Sequence, residues 1–121
     1  MKVFVFILGL TMPLSAVADT PRIVDARAVP QEGGWRFDVT LRHGDTGWDH
    51  YADAWSVIGP DGMVLGERVL AHPHVDEQPF TRSLSGVEIP DGTTRVLLRP
   101  RDSVHGDGPD FELELPGADG S

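Results

Sequence analysis

Cysteine is absent from the chain, and that gap excludes three things at once. No disulfide staples the fold, no thiolate ligates a metal, and no thiol is present to carry a lipid. Lysine is nearly absent too: Lys2 is the only one, so every other basic side chain is an arginine. Acids outnumber bases by 19 to 10, giving a formal charge of −9. Such a surface excludes nucleic acids and anionic membranes as electrostatic partners and suits cations. Long apolar stretches are missing after residue 10, and no segment holds a 3.6-residue apolar period, because ten prolines and fourteen glycines interrupt the chain. No G-x-S-x-G elbow and no glycine-rich phosphate loop occurs. Binding is therefore expected rather than catalysis, with a metal hydrolase or oxidase as the enzyme reading should a site keep an open position.

The first residues have the pattern of an export signal. Lys2 precedes the apolar run Val3 to Leu10, and Pro13 and Ser15 lead into the small-residue site Ala16-Val17-Ala18. The run is too short to span a bilayer. Residues 1–18 are expected to be a signal peptide, 19–116 one β-sandwich domain, and 117–121 a flexible tail. Cleavage would make the domain one unit more acidic than the whole chain. The expected destination is periplasmic or secreted, with no membrane anchor after cleavage.

Strand patterns fill the rest. Trp35, Phe37, Val39 and Leu41 alternate with Arg36, Asp38, Thr40 and Arg42, the signature of a strand with one buried face. Phe111, Leu113 and Leu115 alternate with Glu112 and Glu114 in the same way. Further runs at 22–29, 52–58, 64–70, 80–89 and 94–99 are separated by turn signals such as Gly33-Gly34, Pro60-Asp61-Gly62 and Pro90-Asp91-Gly92. About seven short strands at this spacing predict an all-β, single antiparallel β-sandwich of immunoglobulin or fibronectin-III type. Trp55 is the expected core tryptophan of its third strand.

Successive antiparallel strands reverse direction, so connections alternate between the two ends of a sandwich. The tight turns fall at one end. At the other fall three polar segments that hold all five histidines: 43–51, 72–77 and 102–107. His72 and His74 flank Pro73, and on extended chain two imidazoles at i and i+2 share a side. His43 continues the buried phase of Leu41, which suits either a ligand or a hydrogen-bonded residue closing the core. His50 and His105 lie in loops. Asp49, Asp76, Glu77 and Asp102 could ligate or orient the rings, among acids that also include Asp45, Asp53 and Asp107. Met63 lies at the opposite end, so no soft ligand accompanies the histidines. Imidazole with carboxylate suits Zn²⁺ or Cu²⁺. Trp48 and Tyr51 offer a different use of the same loops, stacking on a glycan or anchoring a protein, although Trp48 is expected to pack down as a lid.

The segments Thr46–Asp53, His72–Ser83 and Asp102–Gly106 resemble those of a group of small uncharacterised exported bacterial β-sandwich proteins. The resemblance covers most of the domain and implies secretion and a single small domain. It implies no activity, substrate or ligand. Copper-binding sandwiches of the cupredoxin kind are a poorer match, since they bring a cysteine to the metal.

The histidine-bearing loops are thus expected to form a copper or zinc site, with His72 and His74 first, then His50 and His105, then His43. The alternative is a metal-free protein- or carbohydrate-interaction module.

Overall fold

The computed structural model describes residues 20–116. The expected signal peptide and the expected tail from Gly117 lie outside the described residues. Among the described residues eight strands occur: β1 (Arg22–Gln31), β2 (Gly34–Arg42), β3 (Ala52–Ile58), β4 (Val64–Val69), β5 (Phe80–Val87), β6 (Arg95–Asp102), β7 (Gly106–Asp107) and β8 (Phe111–Glu114). They form two sheets, β1-β2-β5 and β4-β3-β6, with β7 and β8 both pairing the far edge of β6. Every pairing is antiparallel. This is the sandwich anticipated from the strand pattern.

The core lies where period-2 alternation puts it. From β2 come Phe37, Val39 and Leu41; from β3, Trp55 and Val57; from β5, Phe80; from β6, Val96 and Leu98. Opposed side chains from the two inner faces exclude water from one another, and this burial is the main stabilising force. At the bottom, Gly34 closes the β1–β2 hairpin with a φ of +126°, and a Cβ there would stand 2.9 Å from the Val87 carbonyl oxygen. That position requires glycine.

The strand expected at 111–115 is β8, but a short additional strand, β7, lies in the segment expected to be a loop; β6 meets β8 through Leu98 and β7 only from Arg101 onward. Pro100 sits at the gap. Its carbonyl accepts from the Gly108 N–H at 2.8 Å, so its nitrogen faces the same edge, and a proline nitrogen has no proton to give. Ladder pairing ends at Leu98 and resumes at Arg101, leaving Arg99 and Pro100 between.

The same alternation runs past both sheets into the upper loops. Beyond Leu41 on β2 the next inward position is His43; beyond Leu98 and Pro100 on β6 it is Asp102. Both are buried. A histidine and an aspartate from opposing sheets therefore meet at the top of the apolar core.

Candidate metal centre

Asp102 ends β6 and has no exposed surface. Its Oδ1 accepts backbone N–H bonds from Val104 at 2.8 Å and His105 at 2.5 Å, which folds the β6–β7 turn back on itself. Gly106 completes that turn with a φ of +79°. Oδ2 faces three imidazoles: His43 Nε2 at 3.2 Å, His50 Nε2 at 3.2 Å and His105 Nδ1 at 3.1 Å. Burial alone would raise the Asp102 carboxyl, but the His105 and Val104 N–H groups and the His105 and His50 rings together outweigh it. The group is pulled from 3.8 down to about 2.

The His43 ring is held from its other end. Nδ1 lies 2.5 Å from Asp45 Oδ1, both side chains being fully buried. A contact that short needs a proton between the atoms, and an ionised carboxylate has none, so donor–acceptor matching assigns it to Nδ1. Nε2 then presents a lone pair to Asp102 Oδ2, also a lone-pair atom. The 3.2 Å between Nε2 and Asp102 Oδ2 is ion-pair distance if the ring is protonated, and it also leaves Nε2 placed to ligate a metal. Carboxylate–histidine–metal arrays have this form, with the outer carboxylate fixing tautomer and orientation.

Asp45 is itself well anchored. Oδ1 also accepts the Ala52 N–H at 3.1 Å, and Oδ2 accepts the His74 N–H at 2.7 Å. Gln78 ties the same two loops, accepting from the His43 N–H at 2.9 Å and donating to the His74 carbonyl at 2.9 Å. The loop holding His50 is joined to the β6–β7 turn by Ser103, whose Oγ accepts the Tyr51 N–H at 3.1 Å and whose N–H donates to the Tyr51 carbonyl at 2.9 Å. The three segments converge.

Ligand atoms of His43, His50 and Asp102 lie within 4.8 Å of one another, so this cluster could hold a metal ion. Asp102 Oδ2 stands 3.1–3.2 Å from each of the three nitrogens, hydrogen-bonding distance for His50 and His105, and an ion at 2.0–2.1 Å from tetrahedral donors would hold them about 3.3 Å apart. His105 reaches that oxygen but falls outside the mutually close set. The His50 and His105 side chains are 18% and 32% exposed while His43 is sealed. The site is thus closed toward the core and open at the rim.

The remaining expected residues are distributed around this cluster. His72 and His74 sit beyond Asp45, away from Asp102: His74 Nδ1 is 3.9 Å from Asp45 Oδ2, too long for a hydrogen bond. The His74 ring stacks on Phe80 with centroids 4.0 Å apart and 10° between planes, and the exposed His72 ring stands 4.8 Å away. Neither ring nitrogen of buried His74 has a hydrogen-bond partner, and leaving such an atom unsatisfied costs about 1–3 kcal/mol. Burial, then the Arg82 charge, holds His74 below the usual histidine range. Asp49 and Asp76 are exposed, and Glu77 is engaged by Arg82 at 3.0 Å, which lowers its carboxyl. Trp48 is no lid: it is 68% exposed, with its ring edge-on to Tyr51 at 5.5 Å. Gly47, with a φ of +138°, and the Gly47–His50 bridge hold this turn off the core.

Asp45 and Gln78 were not singled out in the sequence. Asp45 carried a usable signal, since it stands two residues after His43 and shares its side on extended chain. Gln78 carried none.

No family model matches this sequence. Over 72 residues the chain is 50% identical to a protein of Halomicrobium mukohataei named "Putative lipoprotein"; the match takes in 60% of this chain, and the chain spans 35% of the relative's length. Among solved structures, the reduced superoxide reductase (neelaredoxin) from Archaeoglobus fulgidus aligns over 88% of this chain and 95% of that one, at 12% identity and a TM-score of 0.46.

Proposed function

We propose that this domain is an exported binding protein, periplasmic or secreted, that holds a divalent transition metal among His43, His50 and Asp102. His105 supplies a further ligand from the rim, and Asp45 orients His43. One observation carries the reading: ligand atoms of His43, His50 and buried Asp102 lie within 4.8 Å of one another, and a third imidazole, His105, stands against the same carboxylate oxygen. Nitrogen and oxygen donors without sulfur favour Zn²⁺ or Cu²⁺. Export is supported by the Lys2 to Ala18 pattern and by the name of the Halomicrobium relative. Among the described residues no helix is long and apolar enough to cross a membrane.

Calorimetric titration of metal-free protein with Zn²⁺, and separately with Cu²⁺, tests the proposal. Saturable binding is expected, weakened by about a hundredfold or more in His50→Ala, because losing a direct ligand exceeds the tenfold to hundredfold cost of losing an outer-shell partner. Wild-type and His50→Ala proteins with the same binding would overturn it.

Trp48 motivates a second reading. An indole 68% exposed beside Tyr51 is the kind of surface that stacks on a sugar ring or anchors a protein partner. A glycan-array or pull-down signal lost in Trp48→Ala, with no metal bound by the wild type, would favour this module over the metal site.

A further inference from the structure

Asp45 separates two groups of histidines, and the cluster at Asp102 uses only one of them. We infer that His72 and His74 form a second metal site, which takes one divalent transition ion through His72 Nε2 and a ring nitrogen of His74. The site does not depend on an ion at Asp102.

The ring positions carry the inference. His72 Nδ1 lies 3.2 Å from the Pro73 carbonyl. A carbonyl can only accept, so Nδ1 is the donor and Nε2 keeps its lone pair. His74 is buried, with 4% of its side chain exposed, and both of its ring nitrogens lack a hydrogen-bond partner. Buried polar atoms in folded proteins are almost always satisfied, so an exception calls for a missing partner. The ring is also fixed in place, since Phe80 stacks against one face at 4.0 Å.

The two imidazole centroids are 4.8 Å apart with planes tilted by 37°. Two imidazoles bound to one ion at 2.0–2.1 Å, about 100° apart, put their centroids about 5 Å from each other. The rings are thus close enough to share one ion once a nitrogen of each turns toward it. The chain bends at His72, and Pro73 fixes the φ that follows, so the His72 ring stands beside that of His74. Arg82, a nearby cation, is paired with Glu77 at 3.0 Å. His72 is exposed and gives an ion its approach, whereas the His74 nitrogens are covered. Two imidazoles plus water suit Cu²⁺ best among the common divalent ions.

Copper titration of the metal-free full chain tests this, read by calorimetry and by nitrogen hyperfine splitting in electron paramagnetic resonance. Wild type should take up two ions per chain, and His72→Ala should retain one, with the other weakened by at least about tenfold. His72 lies at the surface, so this variant folds. Asp102→Asn should show the converse and keep the His72 ion. A single ion lost in His72→Ala would support this site and contradict the Asp102 reading. Uptake unchanged in His72→Ala, or no copper bound by wild type, would overturn it.

Discussion

Replacing Asp102 with asparagine isolates the charge at the centre of the cluster. Asparagine keeps a carbonyl oxygen for the Val104 and His105 N–H groups, so the β6–β7 turn retains its backbone contacts. What disappears is the anion. In the folded protein that carboxyl is drawn from 3.8 to about 2, which corresponds to about 2 kcal/mol favouring the ionised form. Because the folded value is the depressed one, this stability is fully present above the unfolded value and is lost as pH falls through the folded one. In a chelator, urea unfolding at about pH 7 should find Asp102→Asn less stable by about 2 kcal/mol. The gap should close between about pH 4 and pH 2, as wild type takes up its proton. A gap that stays constant through that window, or no gap at about pH 7, would refute the assignment of Asp102 as a buried anion.

Three further outcomes follow from the same contacts. Asp45→Ala leaves the Ala52 and His74 N–H groups and the His43 ring without their acceptor, so chemical denaturation should register a loss of about 3–5 kcal/mol; a loss below about 1 would mean the carboxylate is dispensable. Trp55→Ala empties the largest fully buried position and should cost about 3–5 kcal/mol in the same assay, with metal affinity of the surviving folded fraction unchanged. Trp48→Ala should move stability by no more than about 0.5 kcal/mol and leave zinc affinity intact, since its ring lies outside the core; a large thermal shift would show that it packs after all.

Much of the architecture was legible because two-residue alternation continues without interruption where it matters. The phase of Phe37, Val39 and Leu41 carries directly into His43, and that of Val96 and Leu98 into Asp102. Strand counting brought all five histidines to one end, and three of them meet around one oxygen. The short strand β7 was missed because two residues carry no alternation; the gap that separates it from β8 sits across the sheet, at Pro100. The order of importance among the histidines was also hidden. His72-Pro73-His74 is conspicuous locally, whereas the cluster joins residues 43, 50 and 102, whose proximity depends on register between β3 and β6. Trp48 was expected to cover the core, but apolar size does not decide burial when a short turn holds the backbone away.

The most direct measurement is anomalous diffraction from crystals grown with Zn²⁺, recorded above the zinc edge. A peak about 2.0–2.2 Å from His43 Nε2, His50 Nε2 and an Asp102 oxygen is predicted. Crystals with those three side chains in mutual contact and no anomalous density among them, at saturating zinc, would contradict it.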